Sequence, residues 1–394
     1  MMLGAHRTRV ALVGDSLTVG DGKWRPNECS VASYKCRGSY PHLLEALMGK
    51  QQYEVRSFGA SGRSIASLMP PGCPPSLRGE SSTQPHQNVT CTTALIQTPL
   101  IASLVDFHPA IIAVLLGTND AKRRLFGEHL SDVARTVESQ MTLLLRALLR
   151  ALSENMPLVL VLKPPATMAD MVPPSTCARP AALPAPSGVQ MRPADSTCVV
   201  NATSCTAMHT CFYNPHGCTN LHICLTCGSA PPGIPKHFGR GNSTSTDLLS
   251  TDNCVNADAL EMSRAGVAWA ANAAAKIWSS APAGDHPCSA GLHLLPAIPL
   301  TPDWRTFMDP IHPRPLGSAA IACHVHDSIM QRCDSTMSAR ADSAMNERYH
   351  RFCDVVSRVA VAPTRGGLEH LMRIEKAMWN ASQGEAACWH PSCI

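Results

Sequence analysis

The chain has 394 residues, is 45% hydrophobic by composition and carries a formal net charge of +4 from 33 basic and 29 acidic side chains. This length allows one large domain with insertions or two domains, and the charge balance is too mild and too evenly spread for a nucleic-acid-binding protein. No uncharged apolar run reaches the roughly 18 residues of a membrane-spanning helix; the longest apolar helical stretch, "MTLLLRALLRAL", is interrupted by Arg146 and Arg150.

The N-terminal "MMLGAHRTR" has no apolar signal-peptide core, and the first strand follows it directly. That strand is "VALVG", Val10 to Gly14, and the Gly-Asp-Ser that ends it reads as a strand-to-helix turn in which Asp15 or Ser16 caps the helix. "SYPHLLEALMG" follows, with Tyr40, Leu43, Leu44 and Leu47 on one helical face and Gly49 as its stop. "YEVRSFG", Tyr53 to Gly59, is the second strand, and Pro70 to Gln97 is expected to be a Pro/Ser/Thr-rich loop carrying Cys73 and Cys91. "AIIAVLLG" (Ala110 to Gly117) is the third strand, a helix is predicted over Leu130 to Asn155, and "PLVLVLK" (Pro157 to Lys163) is the fourth strand. Pro164 to about Asp252 lacks periodicity, is rich in Pro, Thr and Cys, and is too long for a plain loop in a compact domain. We read it as a Cys/Pro-rich insertion over 164–252, held by disulfides, within a domain spanning 1–333. A helix over Asn256 to Trp278 and a fifth strand, Gly291 to Ala297, complete that domain. A helical extension over 334–394 follows, with candidates "ADSAMNERYHRFCDVVSRVA" and "GGLEHLMRIEKAMW" expected to pack on the core or on a partner. Strands alternating with helices, three of them continuously apolar, predict a doubly wound α/β domain with its site at the carboxyl ends of the strands.

Eighteen cysteines, together with Asn-x-Ser/Thr sequons at Asn88, Asn201, Asn242 and Asn380, point to a secreted or lumenal, disulfide-forming location. A cytoplasmic protein with free thiols is the alternative. In "CTAMHTCFYNPHGCTNLHICLTC" the Cys224-x-x-Cys227 pair has zinc-ligand spacing. No second such pair follows at the usual distance, so disulfides are the preferred reading, and no metal or other cofactor is expected.

A serine nucleophile needs a base, a group that orients the base, and donors for the oxyanion. "DPIHPRPLGSAAIA" sets Asp309 three residues before His312 in a Pro-bounded turn, so the carboxylate can reach the imidazole Nδ1–H while Nε2 faces a serine. "LLGTND", Leu115 to Asp120, places Asn119 at the end of the most apolar strand, where its amide can point across the strand ends. "SFGASGRS", Ser57 to Ser64, closes the second strand with glycines whose backbone N–H can approach a ligand.

Four blocks, "GDSL" at Gly14 to Leu17, "SGRS" at Ser61 to Ser64, "GTND" at Gly117 to Asp120 and "DPIHP" at Asp309 to Pro313, together resemble the SGNH hydrolase superfamily, the GDSL esterases and lipases. "HPRPLGSAAIA" also resembles that family's HP-x-x-x-G-x-x-x-I-A continuation. The resemblance implies a three-layer α/β/α sandwich on a five-stranded, mostly parallel, flavodoxin-like sheet. It implies Ser16 as nucleophile, His312 as general base and then acid, and Asp309 as the orienting carboxylate. It further implies an oxyanion hole formed by the Ser16 N–H, the Gly62 N–H and the Asn119 side chain, with Gly59 as the runner-up to Gly62. Thr18 stands where a G-x-S-x-G elbow requires glycine, which argues against the α/β-hydrolase family. The expected substrate is a small-molecule or glycan O-acyl ester, in the manner of carbohydrate and sialate O-acetylesterases. A lipid acyl hydrolase, or a non-catalytic binding protein using the insertion, is the alternative.

Overall fold

In a computed structural model, the described residues are 7–20, 29–30, 35–36, 39–71, 73, 85–126, 130–167, 255–278, 288, 291–301, 311–313, 315–333 and 343–361. Strands β1 (Thr8–Gly14), β4 (Tyr53–Gly59), β5 (Ile111–Leu115), β6 (Leu158–Leu162) and β7 (Gly291–Leu294) form one five-stranded sheet, ordered β4-β1-β5-β6-β7. A separate antiparallel pair, β2 (Cys29–Ser30) and β3 (Lys35–Cys36), lies outside it. Every pairing in the main sheet is parallel: Gly14 stands level with Gly59 on one side and with Leu115 on the other. Setting the small pair aside, the order is 2-1-3-4-5 along the chain. The connections reverse direction between β1 and β5, the crevice where this architecture binds ligands.

Two helical layers cover the sheet because β1, β5 and β6 are apolar at successive positions, not merely alternate ones. Val10 and Leu12 point to a face covered by α2 (Tyr40–Met48), α8 (Pro315–Met330) and α9 (Ser343–Val361). Ala11 and Val13 point to the opposite face, covered by α4 (Pro99–Phe107), α6 (Leu130–Ala151) and α7 (Ala257–Trp278). The short helices α1 (Ser16–Val19) and α5 (Arg123–Phe126) follow β1 and β5 respectively. The architecture is therefore the three-layer α/β/α sandwich, with a fully parallel sheet.

One segment departs from expectation. The region read as a loop from Pro70 to Gln97 contains helix α3 (Pro85–Ile96). Its apolar stripe is thin, so periodicity does not reveal it; Cys91 and Leu95 bury against Leu143 and Ala147 of α6, and a Cys73–Cys91 disulfide ties the helix to the preceding loop. Two more disulfides, Cys288–Cys333 and Cys323–Cys353, fasten the C-terminal part. The second joins α8 to α9, whose Phe352, Val356 and Ala360 are buried, so this part of the extension packs on the core. Residues 168–254, which include the Cys205 to Cys227 cluster, and the helix candidate "GGLEHLMRIEKAMW" lie outside the described residues.

The described residues on either side of 168–254 are held by α7 and by the turn after β5. Arg264 on α7 donates to the Pro164 and Pro165 carbonyls at 3.0 and 2.6 Å, while Val255 forms a bridge with Lys122. Asn256 then caps α7 by accepting the Ala259 N–H at 3.0 Å. Both flanking segments thus adjoin the turn that follows β5.

Candidate active site

The turn after β1 is tight because Gly14 has no side chain. A Cβ there would stand 2.8 Å from the Leu115 carbonyl oxygen and overlap the Thr18 side chain. Asp15, extended at φ −102°, caps the one-turn helix α1: its Oδ1 accepts the Leu17 N–H at 2.9 Å. Ser16 is the first residue of that helix, only 6% exposed, and its N–H has no acceptor among the described residues, as expected for a first-turn donor. The rest of the turn is held from outside. Thr18 Oγ1 pairs with the buried Tyr40 hydroxyl at 3.0 Å, and Ser57 Oγ donates to the Thr18 carbonyl at 3.3 Å.

His312 lies in the short segment before α8, and its Nε2 stands 2.9 Å from Ser16 Oγ. With the imidazole proton on Nδ1, Nε2 accepts the serine hydroxyl hydrogen. Residues 296 positions apart are thus in the relation a nucleophile has to its base. Asp309, the expected orienting carboxylate, lies outside the described residues.

Asn119 sits in a 3-10 turn (Asn119–Ala121) beyond β5, at the crevice beside β1. Its Nδ2 donates to the Arg63 carbonyl at 2.9 Å and to Asp15 Oδ2 at 3.3 Å. The first bond fixes the turn that contains Gly62. Gly62 has φ +70°, a left-handed conformation that favours glycine, and nothing lies within 4 Å of where its Cβ would be. No acceptor for its N–H is found among the described residues. The runner-up, Gly59, differs on both counts: its N–H is spent on Ser57 Oγ at 3.3 Å, and its Cα packs against the backbone of Asp15 and Val19. The structure therefore brings Ser16, His312, Asn119 and the Gly62 turn to one end of the sheet.

Three polar residues of this site were not assigned roles in the sequence. Asp15 figures there only as a helix cap. Arg63 Nη1 donates to the Phe58 carbonyl at 2.5 Å and the Gly14 carbonyl at 3.3 Å, joining the ends of β4 and β1. Asp120 accepts the Ile65 and Ala66 N–H groups at 2.9 and 3.2 Å, which anchors the 3-10 turn Ala66–Leu68. The signal available for all three was an ionisable side chain in the turn that follows a strand, where burial forces each to find partners.

Burial dominates the electrostatics. The Asp15 carboxyl, fully buried, is pushed up from 3.8 to about 7, against the opposing pull of the Leu17 N–H and of His312. Asp120 is raised by burial to about 6, with its backbone hydrogen bonds opposing. Burial lowers Arg63, and the nearby Asp15 charge works the other way. Desolvation also raises Tyr40.

Comparison with known proteins returns two solved structures and one family. A solved structure described as that of a GDSL-like lipase from Parabacteroides merdae ATCC 43184 is 18% identical over 40% of this chain and 59% of that one, with a TM-score of 0.24. Another solved chain is 14% identical over 83% of this chain and 98% of that one, with a TM-score of 0.39. No curated protein matches the sequence. The family described as GDSL-like Lipase/Acylhydrolase matches residues 10–203, from the first strand past β6. Residues 10–203 of the chain are thus a GDSL-like Lipase/Acylhydrolase domain.

Proposed function

We propose that the protein is a serine esterase that removes short O-acyl groups, acetyl-like in size, through an acyl-enzyme intermediate. The observation that carries this reading is the 2.9 Å contact between Ser16 Oγ and His312 Nε2. Ser16 attacks the ester carbonyl while His312 takes its proton. The oxyanion that forms accepts hydrogen bonds from the Ser16 N–H, the Gly62 N–H and Asn119 Nδ2. Collapse of the tetrahedral intermediate expels the alcohol, which receives the proton from His312. Water, activated by the same imidazole, then releases the acid. Asp309 completes the triad by holding the Nδ1–H of His312, a role that rests on the family resemblance of "DPIHP". Ser16 at the start of α1 is both helix opener and nucleophile, a position where first-turn N–H groups favour developing negative charge.

The small-acyl preference and the carbohydrate or other glycan alcohol rest on the likeness of the sequence to O-acetylesterases. A lipid acyl hydrolase is the second reading, since the family description itself names lipases. The site of action is the secretory lumen or the extracellular space, supported by three disulfides among the described residues and by the sequons. Among the described residues no helix is long and apolar enough to cross a membrane.

The test is hydrolysis of p-nitrophenyl esters of two to twelve acyl carbons by the purified protein. Activity falling steeply beyond four carbons is expected, with Ser16→Ala reducing kcat/KM at least about a thousandfold. Equal hydrolysis by Ser16→Ala and wild type overturns the site; a maximum at ten or twelve carbons replaces the small-acyl reading with the lipid one.

A further inference from the structure

Asn119 has two hydrogens on Nδ2, and both have acceptors within the protein. One goes to the Arg63 carbonyl at 2.9 Å, which fixes the plane of the amide. The other faces Asp15 Oδ2 at 3.3 Å, a long contact to a carboxylate with no solvent exposure. An oxyanion at Ser16 needs the second hydrogen, so it competes with Asp15 for it. Asp15 Oδ1 is already committed to the Leu17 N–H at 2.9 Å. A proton taken up by this carboxyl therefore settles on Oδ2, the atom that faces Asn119, and turns a carboxylate oxygen into a hydroxyl, a much weaker acceptor.

We propose that Asp15 is a positioning residue that controls whether Asn119 has a hydrogen to give: ionised, it holds the second amide hydrogen; protonated on Oδ2, it releases that hydrogen to the oxyanion. This inference rests on the esterase reading for its catalytic consequence but not for the Asp15–Asn119 coupling itself. Charged and titratable groups face Asp15 from every side of the site: Tyr40 from α2, Arg63 from the turn after β4, Asp120 and Lys122 from the turn after β5, and His312 from the segment before α8. Burial places the exchange near neutrality, at about 7. Ionised Asp15 also attracts a protonated His312, so the carboxylate favours the imidazolium while it opposes the oxyanion. The direct hydrogen bond to Asn119 makes the second effect the larger one, because a donor taken from an oxyanion costs about a hundredfold or more in kcat when wholly lost.

Two measurements on the full chain test this. The first is independent of turnover: the side-chain amide resonances of Asn119, labelled with nitrogen-15 and assigned with an Asn119→Asp variant, are followed from pH 5 to pH 9. They are expected to move through a single midpoint near 7 in the wild type and to stay still in Asp15→Asn, whose amide oxygen can still accept the Leu17 N–H. Resonances that do not titrate, or that titrate identically in both proteins, overturn the proposal. The second is kcat for p-nitrophenyl acetate over the same range. The wild type is expected to lose about tenfold in kcat on the alkaline side with little change in KM, and Asp15→Asn to hold its plateau. An alkaline fall shared by both proteins also overturns it. A titrating Asn119 resonance in a protein that hydrolyses no ester would remove the esterase reading and leave the coupling in place.

Discussion

Replacing Asp15 with Asn is expected to make the protein more stable at pH 8 and to leave it nearly unchanged at pH 4. The folded carboxyl titrates at about 7, whereas its ordinary value is 3.8. Below 3.8 both the folded and the unfolded chain carry the proton and the residue costs nothing through ionisation. As the pH rises the unfolded chain releases its proton first, so from 3.8 to about 7 the native state holds more protons and loses stability with every step. At about 1.4 kcal/mol per pH unit the full interval gives an upper bound of about 4 kcal/mol above pH 7. Asn keeps the cap on the Leu17 N–H but cannot accept from Asn119 as a carboxylate does, which returns about 1 kcal/mol. A net gain of roughly 2 to 3 kcal/mol at pH 8 remains, read by urea unfolding followed by circular dichroism with disulfides intact. Asp120→Asn is the control. Its carboxyl is also raised, to about 6, but it accepts two backbone N–H groups that a single amide oxygen cannot replace. It should therefore gain less or lose stability. An Asp15→Asn protein no more stable than wild type at pH 8, or equally shifted at pH 4 and pH 8, refutes the reasoning.

Cys353→Ser, which opens the Cys323–Cys353 link across 30 residues, is expected to lower stability by about 3 to 4 kcal/mol from loop entropy, read as a lower urea midpoint. A midpoint unchanged from wild type would mean that α9 is held by packing alone. Gly62→Ala should remain folded, since no atom lies near the added methyl, but should lose about 1 kcal/mol through its left-handed φ of +70°. Its kcat should fall as the turn relaxes and the N–H swings away; unchanged turnover would shift the backbone donor role elsewhere.

The central strands were legible because burial on both faces writes itself as an uninterrupted apolar run, as in Ile111–Leu115 and Leu158–Leu162, while the edge strand Tyr53–Gly59 shows instead as alternation, with Tyr53, Val55 and Ser57 buried. The meeting of Ser16 with His312 was legible only as a set of spaced blocks, since neither neighbourhood alone distinguishes a nucleophile from a cap or a base from a loop histidine. Helix α3 was not legible, because its stability comes from Cys73 and from Leu143 and Ala147, none of which lies within its own 12 residues. The double engagement of Asn119 was hidden for a related reason. Hydrogen-bond partners 56 and 104 residues away leave no mark on a local pattern, and the sequence offered the amide as available when its hydrogens are already shared.

The 296 positions between Ser16 and His312 set a clock on biosynthesis. At 5 to 20 residues per second, roughly 15 to 60 s of translation separate the emergence of the serine from that of the histidine. The first strand, the turn and the Asn119 block are all made before that time, yet none of them contains the histidine. Any chain cut short before α8 therefore emerges with an unpaired serine, and the Ser16–His312 pair comes into being only as the last layer of the sandwich closes.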